Sequence, residues 1–148
     1  NILAAAQATD LIGVTYYPLN DDFSVKPSSV VAGDFDRIVS AFGSKPIHMA
    51  EVGLPTGSAN GSSEALQAKF LESIFVAWDK YASKIPYLAI DRLVDYSLST
   101  AASYATEYGM PGNLEFTSFI ETLGLQSYAG NDKAAIAPLR RLTEERGW

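Results

Sequence analysis

The stretch Lys45-Pro46-Ile47-His48-Met49-Ala50-Glu51-Val52-Gly53-Leu54-Pro55-Thr56-Gly57 decides how the chain is read. A proline opens it, a short apolar run follows, and a carboxylate closes the run. Glycines and a proline then mark a loop extending to Gly61. This is the pattern of a short buried strand, Pro46 to Glu51, that delivers an acid to a loop. Upstream, Asp10 to Tyr17 reads as a second strand, because its residues are mostly aliphatic, β-branched or aromatic. Pro18 ends it, and Asn20 to Lys26 is a polar loop. Between the two strands, Pro27 opens a helix on which Val30, Val31, Phe35, Ile38, Val39 and Phe42 recur at helical spacing. Gly43 stands at its C-cap.

Downstream, Ser62 or Ser63 caps a helix, with Glu64 in its first turn. Its apolar stripe is Leu66, Phe70, Leu71, Ile74, Phe75, Trp78 and Tyr81. Pro86 leads into a third strand over Tyr87 to Leu93, and a loop is expected as far as Asn113. A short helix covers Leu114 to Leu123, followed by Gly124. A last helix runs from Asp132 to Glu145, with a kink expected at Pro138. Residues 1–9 read as the end of a helix. Alternating strands and helices predict an α/β fold with parallel strands. The strands recur about every 35 to 40 residues, somewhat longer than the unit of a (β/α)8 barrel, and the excess falls in the loops after the strands. Residues 1–148 read as a single domain.

Composition narrows the function classes. With 11 basic and 17 acidic residues the net charge is −6, a surface that repels phosphate backbones and anionic lipids. Nucleic acid and membrane partners are not expected, whereas a neutral polysaccharide is not repelled. There are no cysteines, which excludes disulfides and thiolate metal sites. The lone histidine, His48, excludes a metal site with several histidine ligands, and no G-x-S-x-G accompanies it. No metal and no organic cofactor is expected. No apolar run approaches the roughly 18 residues of a membrane helix. The chain starts Asn-Ile-Leu without a methionine, so a truncated or processed form is expected.

The candidate functional residues cluster at strand ends. Glu51 sits at the mouth of its strand, where a carboxylate suits contact with a ligand; on spacing alone it also fits a loop cap or bridge. In Gly13-Val14-Thr15-Tyr16-Tyr17-Pro18, alternation puts Thr15 and Tyr17 on one face and Tyr16 on the other. A tyrosine hydroxyl beside a carboxylate can orient it, although two core aromatics would give the same pattern. Asp95 ends the third strand and either contacts substrate or bridges loops. Asp91 and Arg92 read as a solvated or paired set. Trp78 reads as core, and His48 as structural and facing the helices. Gly57 to Ser63 precedes a helix but lacks the Gly-Lys-Ser/Thr of a phosphate loop.

Taken together these residues resemble clan A glycoside hydrolases of the family 5 and family 53 type. Asp10 to Pro18 is similar to the sixth barrel strand, and Lys45 to Pro55 resembles the seventh, whose final Glu is the nucleophile. Ile85-Pro86-Tyr87-Leu88 through Leu93-Val94-Asp95 resembles the eighth. Leu123-Gly124-Leu125, Lys133-Ala134 and Arg146-Gly147-Trp148 resemble the closing segment. The resemblance implies a partial (half) TIM barrel of about three βα units. It also implies retaining hydrolysis of β-glycosidic bonds in a polysaccharide or oligosaccharide, of the endo-β-glucanase, cellulase or endo-galactanase type. Glu51 is then the nucleophile and Tyr17 its orienting partner, with Tyr16, Asp95 and Thr56 as substrate contacts. A polymeric substrate implies a secreted or periplasmic protein. The acid/base Glu of this clan lies on the fourth strand, usually after Asn, and no Asn-Glu pair occurs in this sequence. Arg92 stands near the position of the clan's aromatic platform. A missing N-terminal half, or a non-catalytic carbohydrate-binding half-barrel that self-associates, is therefore a second expectation. An open, doubly wound α/β sheet with Glu51 at a switch point is a third.

Overall fold

The computed structural model describes residue 6 and residues 8–147. Most of the helix expected over residues 1–9 lies outside the described residues. Three strands, β1 (Ile12–Tyr16), β2 (Ile47–Val52) and β3 (Tyr87–Ile90), form a parallel sheet in the order β1-β2-β3. Helix α1 (Val30–Phe42) joins the first two strands and α2 (Glu64–Tyr81) the next two. Beyond β3 come α3 (Leu98–Glu107), α4 (Leu114–Glu121) and α5 (Ile136–Glu144).

One face of the sheet is buried. Ile12, Tyr16, Ile47, Met49 and Val52 pack against Val31 and Phe35 of α1, Phe70, Leu71 and Ile74 of α2, and Ile136 of α5. The helices of that core lie on a single side of the sheet, which is the curved layer of a partial (β/α)8 barrel and not the double layer of a doubly wound fold. Ser63 caps α2, its hydroxyl accepting from Leu66 N at 3.3 Å. Trp78 is core-packed as expected, and its indole donates to Ile85 O at 2.6 Å.

Several expectations change. Leu66, placed on the buried stripe, is exposed. β3 ends at Ile90, so Asp95 stands in the loop beyond it. The expected loop to Asn113 contains α3, capped by Ser97. The last helix begins at Ile136, so Pro138 falls in its first turn, where its missing N–H costs no intrahelical bond and no kink is required. His48 lies between the fully buried Ile47 and Met49, and so points to the opposite, open face, where its ring meets Tyr87 at 5.3 Å.

The same strand carries the irregularity that matters most. Val14 pairs with Met49, but Thr15 pairs with Glu51, so Ala50 is an extra residue in β2. Ala50 and Glu51 are both exposed in succession. A bulge of this kind re-aims a side chain. Here it turns Glu51 onto the open face at the C-terminal end of the sheet.

Candidate active site

Tyr17 follows β1 directly, and alternation sends its ring away from Tyr16 and over the strand ends. Its hydroxyl lies 2.8 Å from Glu51 Oε2 and 2.7 Å from Asp91 Oδ2. Asp91 is fixed there because its backbone N–H donates to Val52 O at 2.9 Å, carrying the β2–β3 pairing one residue past the strand. Gly53 makes the convergence possible. A Cβ at that position would stand 2.5 Å from Asp91 O and 3.1 Å from the Tyr17 ring.

Burial pushes the Tyr17 phenol well above its ordinary value, and the bonds to Asp91 and Glu51 push it further in the same direction. Tyr17 is therefore a hydrogen-bond donor across the working pH range. It has one proton for two carboxylates, so it holds both acids in one plane of contact without satisfying both at once. Arg92 approaches the same cluster, its guanidinium 3.6 Å from Asp91 Oδ2.

A cavity of about 590 Å³ opens over these groups. Thr15, Tyr17, Glu51 and Asp91 form its floor, and aromatic side chains of α3, α4 and the loop before them form one wall. Phe116, Phe119 and Leu123 make a second small core beneath that wall, with Tyr17 packed edge-on against Phe119 at 5.2 Å. The catalytic tyrosine candidate is thus braced by apolar packing as well as by its hydroxyl.

Of the residues singled out in the sequence, the structure brings together Glu51 and Tyr17. It places three others elsewhere. Tyr16 lies in the core, 8% exposed, and its hydroxyl donates to Asp34 Oδ2 at 2.6 Å; this bond and burial raise its phenol too, so it is no substrate contact. Asp95 is occupied by Lys133 Nζ at 2.7 Å and by the N–H of Gly124 at 2.7 Å. Thr56 Oγ1 accepts from the same Lys133 Nζ at 3.0 Å and donates to Thr122 O at 3.2 Å. Asp95, Thr56 and the buried Lys133 form a part-buried clasp that ties the loops after β2 and β3 to the segment before α5. Asp91, read with Arg92 as a solvated or paired set, does face Arg92, but its place beside the Tyr17 hydroxyl is what the sequence did not show. Its position depends on the pairing of β2 with β3, forty residues apart, which no local pattern encodes.

No protein-family model matches the chain, and neither does any curated protein. Solved structures do resemble it. Faecalibacterium prausnitzii beta-glucuronidase superposes with a TM-score of 0.64 at 17% identity, covering 94% of this chain and 22% of that one. The Dictyoglomus thermophilum beta-D-glucuronidase gives 0.63 at 15% identity, covering 93% and 23%. The Bifidobacterium dentium beta-glucuronidase complexed with coumarin-3-O-glucuronide gives 0.63 at 15%, covering 93% and 21%. At such identities the likeness is one of fold. The chain has the fold of part of a (β/α)8 barrel, and it spans about a fifth of the length of these structures.

Proposed function

We propose that this chain carries the nucleophile half of a retaining β-glycoside hydrolase site. The observation behind the reading is Tyr17 holding Glu51 at 2.8 Å on the open face of the strand ends, within the cavity. In the reaction, Glu51 attacks the anomeric carbon and forms a glycosyl ester as the glycosidic C–O bond breaks. Water then cleaves the ester with net retention. Tyr17 keeps the Glu51 carboxylate in one orientation, which contributes by positioning.

The general acid must protonate the departing oxygen. The clan resemblance assigns that role to a Glu on the fourth barrel strand, usually after Asn, and no Asn-Glu pair occurs in this sequence. The substrate is a polysaccharide or oligosaccharide of the β-glucan or galactan type. A polymer does not cross a membrane, so the reading places the protein in the periplasm or outside the cell.

The test is hydrolysis of soluble β-glucan, carboxymethyl-cellulose and galactan by the protein and by Glu51→Gln. It is paired with trapping by activated 2-deoxy-2-fluoro glycosides and mass spectrometry of the labelled peptide. Label on Glu51 from the activated glycosides, whose leaving groups need no protonation, is expected, with no label in Glu51→Gln. Turnover that survives Glu51→Gln, or a label elsewhere, overturns the assignment.

A further inference from the structure

The part of the cavity lining supplied by α3 and the residues flanking it differs from the part supplied by the strand ends. Tyr104 and Tyr108 lie one helical turn apart at the end of α3, and both face the cavity that holds Glu51. Tyr108 is 68% exposed and leans on Phe116, with ring centroids 5.6 Å apart. Tyr104 stacks on Tyr96, centroids 5.5 Å apart and planes within 18°. Tyr96 in turn carries the Arg92 guanidinium over its ring at 3.6 Å. The tyrosines are therefore set in place by their neighbours while one ring at least stays open to solvent. A ring with an apolar face and a hydroxyl edge matches a sugar, which also has an apolar C–H face and a polar rim.

Charge decides which sugar. Among the described residues lining the cavity, Arg92 is the one cation, against the carboxylates of Glu51 and Asp91. Its guanidinium is already engaged: Nη1 donates to Ile120 O at 3.0 Å, Nη2 lies 3.6 Å from Asp91, and its flat face rests on Tyr96. A sugar carboxylate entering here would meet two like charges against a single cation that already faces Asp91.

We propose that the α3 wall is a binding site for a neutral saccharide chain, stacked on Tyr104 and Tyr108 and running away from Glu51. The proposal deepens the glycosidase reading and rests on it for where the scissile bond sits. It names a surface that extends the site past the reacting sugar and selects against uronides.

The test is calorimetric titration of Glu51→Gln protein with cellohexaose, laminarihexaose and β-1,4-galactohexaose, and of the unmodified protein, which keeps both carboxylates, with the best neutral hexaose beside a β-1,4-linked hexaglucuronate of equal length. Tyr104→Ala, Tyr108→Ala and the corresponding Phe variants are made in the Glu51→Gln background. At least one neutral hexaose binds, each Ala variant weakens it by about tenfold, and the Phe variants, which keep the ring, retain it. The hexaglucuronate binds at least about tenfold more weakly than the neutral ligand. Absence of binding by every neutral hexaose, Ala variants that bind as well as the parent, or a uronate that binds equally would each overturn the proposal. Trapping of label on Glu51 is scored separately. Label without an effect of the tyrosines removes the saccharide wall and leaves the catalytic reading. An effect of the tyrosines without label upholds the wall and removes Glu51 as nucleophile.

Discussion

Gly53 shows how one residue sets the chemistry of its neighbours. Leu123 Cδ2 stands 3.0 Å from where its Cβ would be, completing a tight ring with Asp91 and Tyr17. Asp91 O, at 2.5 Å, is backbone and cannot swing aside. Gly53→Ala is therefore expected to cost about 1–3 kcal/mol as strain. The same substitution should reduce trapping of label on Glu51, because Tyr17 and Asp91 must part to admit the methyl. Urea unfolding and label yield check the two effects, and an unchanged yield in folded Gly53→Ala would show that the cluster tolerates displacement. The tyrosines add a pH signature. In the folded chain Tyr16 and Tyr17 hold their protons above the ordinary tyrosine value of about 10, at which the unfolded chain releases them. Above that pH the unfolded state binds fewer protons than the folded one, so stability falls as pH rises and is fully present below it. Denaturant midpoints measured from pH 9 to 11 should decline, and Tyr17→Phe should flatten the decline. An equal slope in Tyr17→Phe would mean that the hydroxyl is not held as the structure shows. The Tyr17–Glu51 pair was legible because both residues close apolar strands. Asp91 was not, because the sequence does not display the bulge at Ala50 or the β2–β3 pairing that together set the two acids beside one hydroxyl.

Elements were legible where apolar spacing was strong. α1 and α2 announce themselves through Phe35, Phe70, Leu71 and Ile74, which reach the core they predict. α3 does not, because Leu98-Ser-Thr-Ala-Ala-Ser-Tyr-Ala-Thr-Glu107 offers small residues in place of a stripe. Its buried positions are alanines, Ala101 and Ala105, whose small side chains let it sit close to α4. Alanine favours a helix, but without a periodic apolar stripe the pattern does not announce one. In the last helix it is the start of the element that the sequence hides, and Pro138 signals a kink only for a helix that begins at Asp132. With Pro138 in the first turn of α5, Pro138→Ala is expected to change stability by no more than about 0.5–1 kcal/mol, against about 3 kcal/mol for a proline inside a helix. Thermal denaturation distinguishes the two. The clasp at Lys133 makes a larger prediction. Lys133 is 6% exposed, and removing it leaves the part-buried Asp95 carboxylate without its counter-charge, held by the Gly124 N–H alone. Lys133→Met should cost about 3–5 kcal/mol, and adding Asp95→Leu should recover much of it, because the stranded charge goes with it. A double variant no better than the single one would show that the loops depend on the hydrogen bonds to Thr56 and Thr122 more than on the charge pair.

At the scale of the whole molecule the parallel sheet is covered on one side by α1, α2 and α5, while its other face carries His48 and Tyr87 in the open. The order β1-β2-β3 leaves the outer edges of β1 and β3 without a strand partner among the described residues. In a closed barrel both edges are paired and that face is filled by side chains. Unpaired strand edges beside exposed apolar groups are sites of association. Leu11, just before β1, and Tyr87, on β3, are 44% and 51% exposed, one at each edge. The protein at micromolar concentration is therefore expected to associate through these edges, with a weight-average mass that rises with concentration in sedimentation equilibrium. A lysine at each edge, Leu11→Lys with Tyr87→Lys, should lower that association by placing a charge where two edges would meet. Both substitutions lie away from the Glu51 cavity, so saccharide binding by the associated and dispersed forms tells whether assembly contributes to the site. Binding lost on dispersal would show that a neighbouring copy completes the site. Binding retained would show that the three βα units suffice for the saccharide. A chain that stays monomeric at every concentration would refute the association itself, and would mean that the open face is stable in water as it stands.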